Sequence, residues 1–332
     1  MIRWLGGIWA GIAFLLGAGA ALAADKVTFG TNWLAQAEHG GFYQAVADGT
    51  YAKYGLEVTI VPGGPQSNNR MMLAAGRLDF YMGGNLLQPF SAVAENIPVV
   101  VVAAIFQKDP QAILSRPGQG LDTWQDLKKA RLFVAREGLV SYFQWMKGAF
   151  GFREDMTRPY TFNVAPFLAD PQSAMEGYIT SEPLAVEKQG GFRPNVFLLA
   201  DYGFDTYSTT IETRTDVVAG KADLVQRFVN ASIIGWYNYL YGDPAAANAL
   251  IKTANPDMTD EQLAFSLAKM KEYGIVDSGD ALKLGIGAMT DARIKHFFEL
   301  AVKSGLADAG LAYTRSYTLA FVNKGVGLDL RR

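Results

Sequence analysis

The stretch that decides the fold runs from Thr28 to Ile60 and reads TFGTNWLAQAEHGGFYQAVADGTYAKYGLEVTI. It opens inside a short strand over Lys26–Asn32, with Val27 and Phe29 on one face. Apolar residues then recur at helical spacing over Gly41–Gly49, at Phe42, Ala45 and Val46. Gly55 ends a second short helical piece, as a left-handed C-terminal glycine does. Leu56–Val61 alternates as a strand, and Pro62-Gly63-Gly64 breaks it. A strand, a helical connection and a second strand in one short run is the unit from which parallel sheets are built.

The same alternation continues outward. A helix is expected over Asn68–Ala75, stopped by Gly76, then a strand over Leu78–Met82 and a helix over Asn85–Glu95. Asn96-Ile97-Pro98 introduces Val99–Phe106, a β-branched run that reads as a buried strand. Further on, a helix is expected over Thr123–Ala130 with Asp122 at its N-cap, and a strand over Arg131–Ala135. The turn Arg136-Glu137-Gly138 precedes a helix over Val140–Phe150. Thr161–Val164 reads as extended, Pro171–Glu176 as helical, and Tyr178–Thr180 and Asn195–Leu199 as strands. Amphipathic helices close the chain over Ala222–Tyr241, Asp260–Glu272 and Asp291–Lys303. The fold class expected is α/β, with mostly parallel sheets flanked by helices.

Composition narrows the function. At 332 residues the chain exceeds what one core usually organises, so two lobes are expected. Thirty Lys and Arg against 32 Asp and Glu give a net charge of −2, without the basic excess of a nucleic-acid binder. No cysteine is present, which excludes disulfides, thiolate metal sites, cysteine nucleophiles and a lipid-modified cysteine anchor. Only His39 and His296 supply imidazole. Arg3, the apolar run Leu5–Leu22 and Ala21-Leu22-Ala23 have the layout of a secretory signal cut before Ala24 or Asp25. Residues 1–24 are therefore expected to be removed, leaving an exported protein, which the family resemblance below places in the periplasm. Strand ends carry no G-x-G-x-x-G, and no G-x-x-x-x-G-K-[ST], G-x-S-x-G or H-E-x-x-H is found, so no local motif supports a nucleotide-driven or hydrolytic enzyme.

Several blocks carry a family resemblance. A strand ends in Asn32-Trp33, a helix opens with His39-x-x-x-Tyr43, and Gly55-Leu56-x-Val58 and Ala75-Gly76-x-x-Asp79 follow in order. Leu121–Ala135 (LDTWQDLKKARLFVA) and Gly177–Pro183 (GYITSEP) extend the pattern. The chain resembles the NMT1/THI5-like periplasmic substrate-binding proteins of ABC transporters, which include binders of thiamine-precursor pyrimidines, riboflavin and alkylsulfonates. That resemblance implies a two-lobed periplasmic-binding-protein fold of type II with a ligand cleft between the lobes. It places the first lobe at 25–108 and 208–332 and an inserted second lobe at 109–207. The implied partners are a small-molecule ligand, an ABC permease and its ATPase subunits. Neither nucleic acid nor a cofactor is expected, and the protein is expected to be a monomer.

Open α/β sheets bind ligands beyond the C-terminal ends of their strands, so the candidate site can be read from those ends. In the first lobe these are Asn32, Trp33, His39 and Tyr43, with Asn85 and Gln88 after Gly83-Gly84. In the second they are Ser141 and Tyr142 at a helix start, and Glu182 beside the return crossing. Tyr202 and Tyr207 stand at that crossing, where rings cover a ligand or pack a hinge. A neutral imidazole at His39 suits a heterocycle or carboxylate, and no partner ligands at metal spacing accompany it. The expected ligand is a flat, nitrogen-bearing ring whose N–H groups donate to a carboxylate.

The same fold has an enzymatic branch that makes the thiamine pyrimidine from its own histidine and bound pyridoxal phosphate. Those members carry a cysteine-rich motif, and a lysine and a histidine just after the strand matching Leu78–Met82. This chain has no cysteine, and no Lys or His between Asp79 and Gln107, so a binding protein rather than an enzyme is expected.

Overall fold

The computed structural model describes residues 23–64 and 67–331. The expected export signal therefore lies almost wholly outside the described residues. Ten strands form two sheets of five, with orders β2-β1-β3-β10-β4 and β7-β6-β8-β5-β9. The first sheet holds β1 (Asp25–Gly30), β2 (Leu56–Val61), β3 (Phe80–Met82), β4 (Val99–Phe106) and β10 (Ser208–Arg214). The second holds β5 (Gln111–Ser115), β6 (Arg131–Val134), β7 (Thr157–Pro159), β8 (Ser173–Tyr178) and β9 (Asn195–Leu198). The chain leaves the first sheet after Phe106 and returns to it at Ser208, so the second lobe is an insertion.

In the first sheet β1 runs parallel to β2 and β3, while β10 is antiparallel to both β3 and β4. The second sheet repeats the plan, with β6 parallel to β7 and β8, and β5 antiparallel to β8 and β9. Parallel pairs thus make up half of each sheet, because the strand that follows each crossing runs against its neighbours. All eight residues of β4 are buried, as its β-branched run requires.

The helices expected over Ala222–Tyr241, Asp260–Glu272 and Asp291–Lys303 form with those bounds. The first of them covers the sheet: Phe228 stacks on Phe80 at 4.0 Å and on Tyr51 at 5.4 Å. It also crosses the helix Gly40–Ala47 closely. A Cβ on Gly41 would lie 2.2 Å from the Trp236 ring, and one on Gly235 would lie 2.3 Å from the Gly41 carbonyl oxygen. The paired glycines let these backbones touch, which is why the helix starts His-Gly-Gly. Among the described residues no helix is long and apolar enough to cross a membrane.

Several expectations fail in the second lobe and at the return: the turn expected at Arg136-Glu137-Gly138 is a helical turn over Arg136–Leu139, and the strand expected at Tyr178–Thr180 ends at Tyr178. Pro171–Glu176 is not helical; Ser173–Tyr178 is β8, buried on both faces near the middle of its sheet. Full burial removes the alternation that marks a strand, and Ala174, Met175 and Glu176 favour helix when read alone. Thr123–Ala130 shrinks to a 3-10 turn over Asp126–Lys129. Asp122 caps no helix there, and accepts instead from the Gly118 N–H at 2.7 Å and the Asn195 amide at 3.0 Å. The extended segment lies at Thr157–Pro159 rather than Thr161–Val164, on an edge where proline costs no ladder bond. Strands β5 and β10 are not among the expected strands; β10 reads STTIETR, polar yet buried.

Candidate ligand-binding site

The two lobes meet at the C-terminal ends of β1, β3 and β8. Glu38, in the turn Ala37–His39 after β1, accepts a hydrogen bond from the Thr180 hydroxyl just beyond β8. The Thr180 carbonyl in turn accepts from Ser266 Oγ at 2.7 Å and Gln262 Nε2 at 3.1 Å, both on a first-lobe helix. Lys188 and Glu261 pair across the same gap at 2.5 Å. On another part of the seam the Trp33 ring lies 5.0 Å from Phe162, whose ring is 5.5 Å from Tyr160. Phe162 has φ +60°, a conformation that costs an aromatic residue energy and holds its exposed ring at the seam.

Carboxyl groups dominate this seam. Tyr178, the last residue of β8, feels the charges of Asp109, Glu38, Glu182 and Glu176. Asp109 sits in the first crossing and accepts from the Gln111 N–H at 3.0 Å, with the Asn85 side chain beside it. Glu176 accepts from the Tyr142 hydroxyl. Glu182 folds back from the start of its helix so that Oε2 accepts from the Tyr178 N–H at 2.7 Å. Gly138 makes room for the Tyr142–Glu176 pair, since a Cβ there would lie 2.5 Å from Tyr142 Oη and 2.6 Å from Glu176 Oε2, and Gly177 makes room for Glu182, whose Cβ would lie 2.7 Å from a Cβ on Gly177.

Loss of water controls the charge of these groups. Burial raises Glu176 and Glu182 to about 7 and Asp109 to about 6, and pushes Glu38 upward too. Hydrogen bonds from Tyr142 and the Tyr178 N–H oppose the rise, while neighbouring carboxyls reinforce it at Glu176 and Glu182. Among the described residues none of the four carboxyls joins an ion pair. Nor does any group of three or more His, Asp and Glu there hold the geometry of a metal site. Such a surface suits a ligand that brings hydrogen-bond donors or positive charge.

A family model described as NMT1/THI5 like matches residues 36–247, more than half of the chain. The chain belongs to the NMT1/THI5-like family. The 4-amino-5-hydroxymethyl-2-methylpyrimidine phosphate synthase of Schizosaccharomyces pombe is 24% identical over 120 residues, covering 36% of this chain and 34% of that enzyme. The match therefore spans about a third of the synthase's length. The riboflavin-binding protein RibY of Chloroflexus aurantiacus is 24% identical over 235 residues, 64% of this chain and 61% of that protein. In fold, the chain is similar to the periplasmic aliphatic sulphonate binding protein SsuA of Escherichia coli. The TM-score is 0.66 at 14% identity, covering 88% of this chain and 91% of that one. The architecture is that of the periplasmic binding proteins of ABC importers.

In this NMT1/THI5-like chain the expected residues fall into four groups. Trp33, Asn85, Tyr142 and Glu182 stand at the seam, linked to it by the contacts above; Asn32 precedes Trp33 and is half-buried. His39 and Tyr43 lie one turn apart behind Glu38, wholly or nearly buried, with both ring nitrogens and the phenol oxygen lacking partners. Burial pushes the imidazole down to about 3 and the phenol up to about 12, so both are neutral. Gln88 and Ser141 serve the backbone: Gln88 accepts from the Gly84 N–H at 3.0 Å, and Ser141 donates to the Glu137 carbonyl at 2.7 Å.

Tyr202 and Tyr207 are placed away from the seam. Tyr202 stacks on Trp124 at 4.2 Å in the second-lobe core. Tyr207 is fully buried, donates to Asp280 at 3.0 Å, accepts from the Thr290 N–H at 3.1 Å and carries Arg293 on its face. Both rings pack the hinge rather than cover a ligand, because aromatic neighbours and fixed hydroxyl partners already occupy them. Glu38, Asp109, Glu176, Tyr178, Tyr160 and Phe162 were missed. Glu176 was concealed by the helical reading of Pro171–Glu176. Asp109, beside Pro110 at the crossing, was legible as an acidic strand-end residue.

Proposed function

We propose that the protein is the solute-binding component of an ABC importer that captures a small, nitrogen-bearing aromatic ligand, such as a thiamine-precursor pyrimidine, by closing its two lobes. The observation that carries this reading is the set of carboxyls at the seam, three buried and Glu182 half-buried, none of them in an ion pair with a basic side chain among the described residues. A sulfonate or nitrate needs donors and positive charge, whereas these groups accept hydrogen bonds and repel anions. Trp33 and Phe162 supply ring faces at the same seam, and aromatic contacts add ~0.5–1.5 kcal/mol each beyond area burial. Two such contacts with a few directed hydrogen bonds are consistent with a Kd near 1 μM, roughly −8 kcal/mol.

The N-terminal pattern supports export to the periplasm, and the closed lobes would be what a membrane permease recognises. The lack of cysteine, and of Lys or His from residue 80 to 106, supports binding without turnover. The test is mass spectrometry of whatever the purified protein releases on denaturation. A basic nitrogen heterocycle supports the reading; an alkanesulfonate or nitrate overturns it.

A further inference from the structure

Thr180 belongs to the second lobe but is gripped by the first. Strand β8 ends at Tyr178, and the next helix is Glu182–Gly190. Between them the Ser181 N–H closes a turn onto the Tyr178 carbonyl at 2.9 Å, and Glu182 Oε2 accepts from the Tyr178 N–H at 2.7 Å. Those bonds make a compact loop with Thr180 near its tip. The tip enters a first-lobe socket: its hydroxyl donates to Glu38, and its carbonyl accepts from Ser266 and Gln262. Thr180 is 0% exposed, Ser266 2% and Glu38 4%. None of the four residues lies in either crossing, so the arrangement of the lobes, not chain connectivity, brings them together. We propose that Thr180 is the clasp of the closed form: its capture in this socket holds the lobes together and sets Tyr178 and Glu182 against the ligand groups of the first lobe. The second half of this inference rests on the reading of the seam as the ligand site; the first does not.

Opening the lobes hands each of these groups to water, so the intact clasp contributes only what its direct bonds exceed hydration by. Removing one partner is more costly. Without the Thr180 hydroxyl, closure leaves a Glu38 oxygen in a dry socket with no donor, and that cost falls on the closed form alone. It corresponds to a loss of about tenfold or more in the ratio of closed to open protein. The Lys188–Glu261 pair beside the socket adds little, because both side chains are exposed to screening water. Threonine also offers two near-isosteric tests. Valine keeps its branched shape and loses the hydroxyl, whereas serine keeps the hydroxyl and loses the methyl.

Closure is measured on the ligand-free protein by pulsed electron spin distances between labels at Met71→Cys and Val140→Cys. These positions are 71% and 69% exposed, on different lobes, and the chain has no other cysteine. Thr180→Val is expected to shift the distance distribution to longer values, and Thr180→Ser to keep that of the parent. Ser266→Ala, which acts from the other lobe, is expected to lengthen it too. A parent-like distribution in Thr180→Val or in Ser266→Ala overturns the clasp. So does an equal lengthening by serine and valine, which would mark methyl packing rather than the hydroxyl. Alanine suits the helix interior at position 266, so Ser266→Ala decides the matter even if Thr180→Val does not fold. The coupling to ligand is measured by isothermal titration with 4-amino-5-hydroxymethyl-2-methylpyrimidine. Thr180→Val is expected to bind it about tenfold more weakly or worse, and Thr180→Ser like the parent. Equal affinity in the parent and Thr180→Val overturns the coupling. A parent that binds no pyrimidine defeats the ligand reading instead, while the distances still decide the clasp.

Discussion

Replacing Glu176 with glutamine removes one titrating group from the seam while keeping an oxygen to accept from Tyr142. The carboxyl stands at about 7 in the folded protein, against roughly 4.3 in an unfolded chain. Its acid form therefore favours the folded state, a contribution fully present below about 4.3 and lost as pH rises through 7. Integrating between about pH 5 and pH 8, this one group costs the parent roughly 2–3 kcal/mol of stability that the amide does not lose. For a chain of this size that corresponds to a melting temperature about 5 °C higher for Glu176→Gln at pH 8, relative to any difference at pH 5. Differential scanning fluorimetry of ligand-free protein at both pH values measures it. An equal effect at the two pH values would show that Glu176 is not held in its acid form, and the electrostatic account of the seam would fail with it.

Three other outcomes are expected. Gly138→Ala drives a methyl against Tyr142 and Glu176, so isothermal titration should show at least about tenfold weaker binding, with overpacking costing ~1–3 kcal/mol in denaturation. Trp33→Ala should weaken binding by about tenfold, ~1.4 kcal/mol, and leave the melting temperature nearly unchanged because the ring is only half-buried. Arg293 ties the Gln107 carbonyl in one crossing to Asp205 in the other and lies 4.2 Å from the Tyr207 ring centre. Arg293→Ala should cost on the order of 1–2 kcal/mol in urea denaturation, and lysine, which lacks the planar fork, should restore little of it.

Much of the fold was legible because local pattern and final environment agree. Ala222–Tyr241 must cover a sheet with one face, and its apolar spacing says so; Val99–Phe106 must be buried throughout, and its composition says so. Legibility failed where an element's environment comes from distant chain. Ser173–Tyr178 becomes a strand because β5 and β6 flank it, not because its residues prefer extended backbone. Ser208–Arg214 looks like a polar connection, yet pairs on both sides and hides Glu212 completely. The site followed the same division. Trp33, Asp109 and Glu182 stand at recognisable strand ends, while Glu176 acquires meaning only once Ser173–Tyr178 is a strand, and Glu38 only when the fold brings it to Thr180. Tyr202 and Tyr207 show the converse: rings near a crossing fit either ligand cover or hinge packing on sequence, and neighbours such as Trp124 and Arg293 pack against them.

The central claim is that this binding-protein fold carries an acid-lined seam for a nitrogen-bearing ring rather than for an anion. Isothermal titration of ligand-stripped protein with 4-amino-5-hydroxymethyl-2-methylpyrimidine and, separately, with taurine tests it most directly. The expected result is saturable binding of the pyrimidine, with a Kd on the order of 1 μM, and no heat from taurine. Saturable binding of taurine with none of the pyrimidine would contradict it.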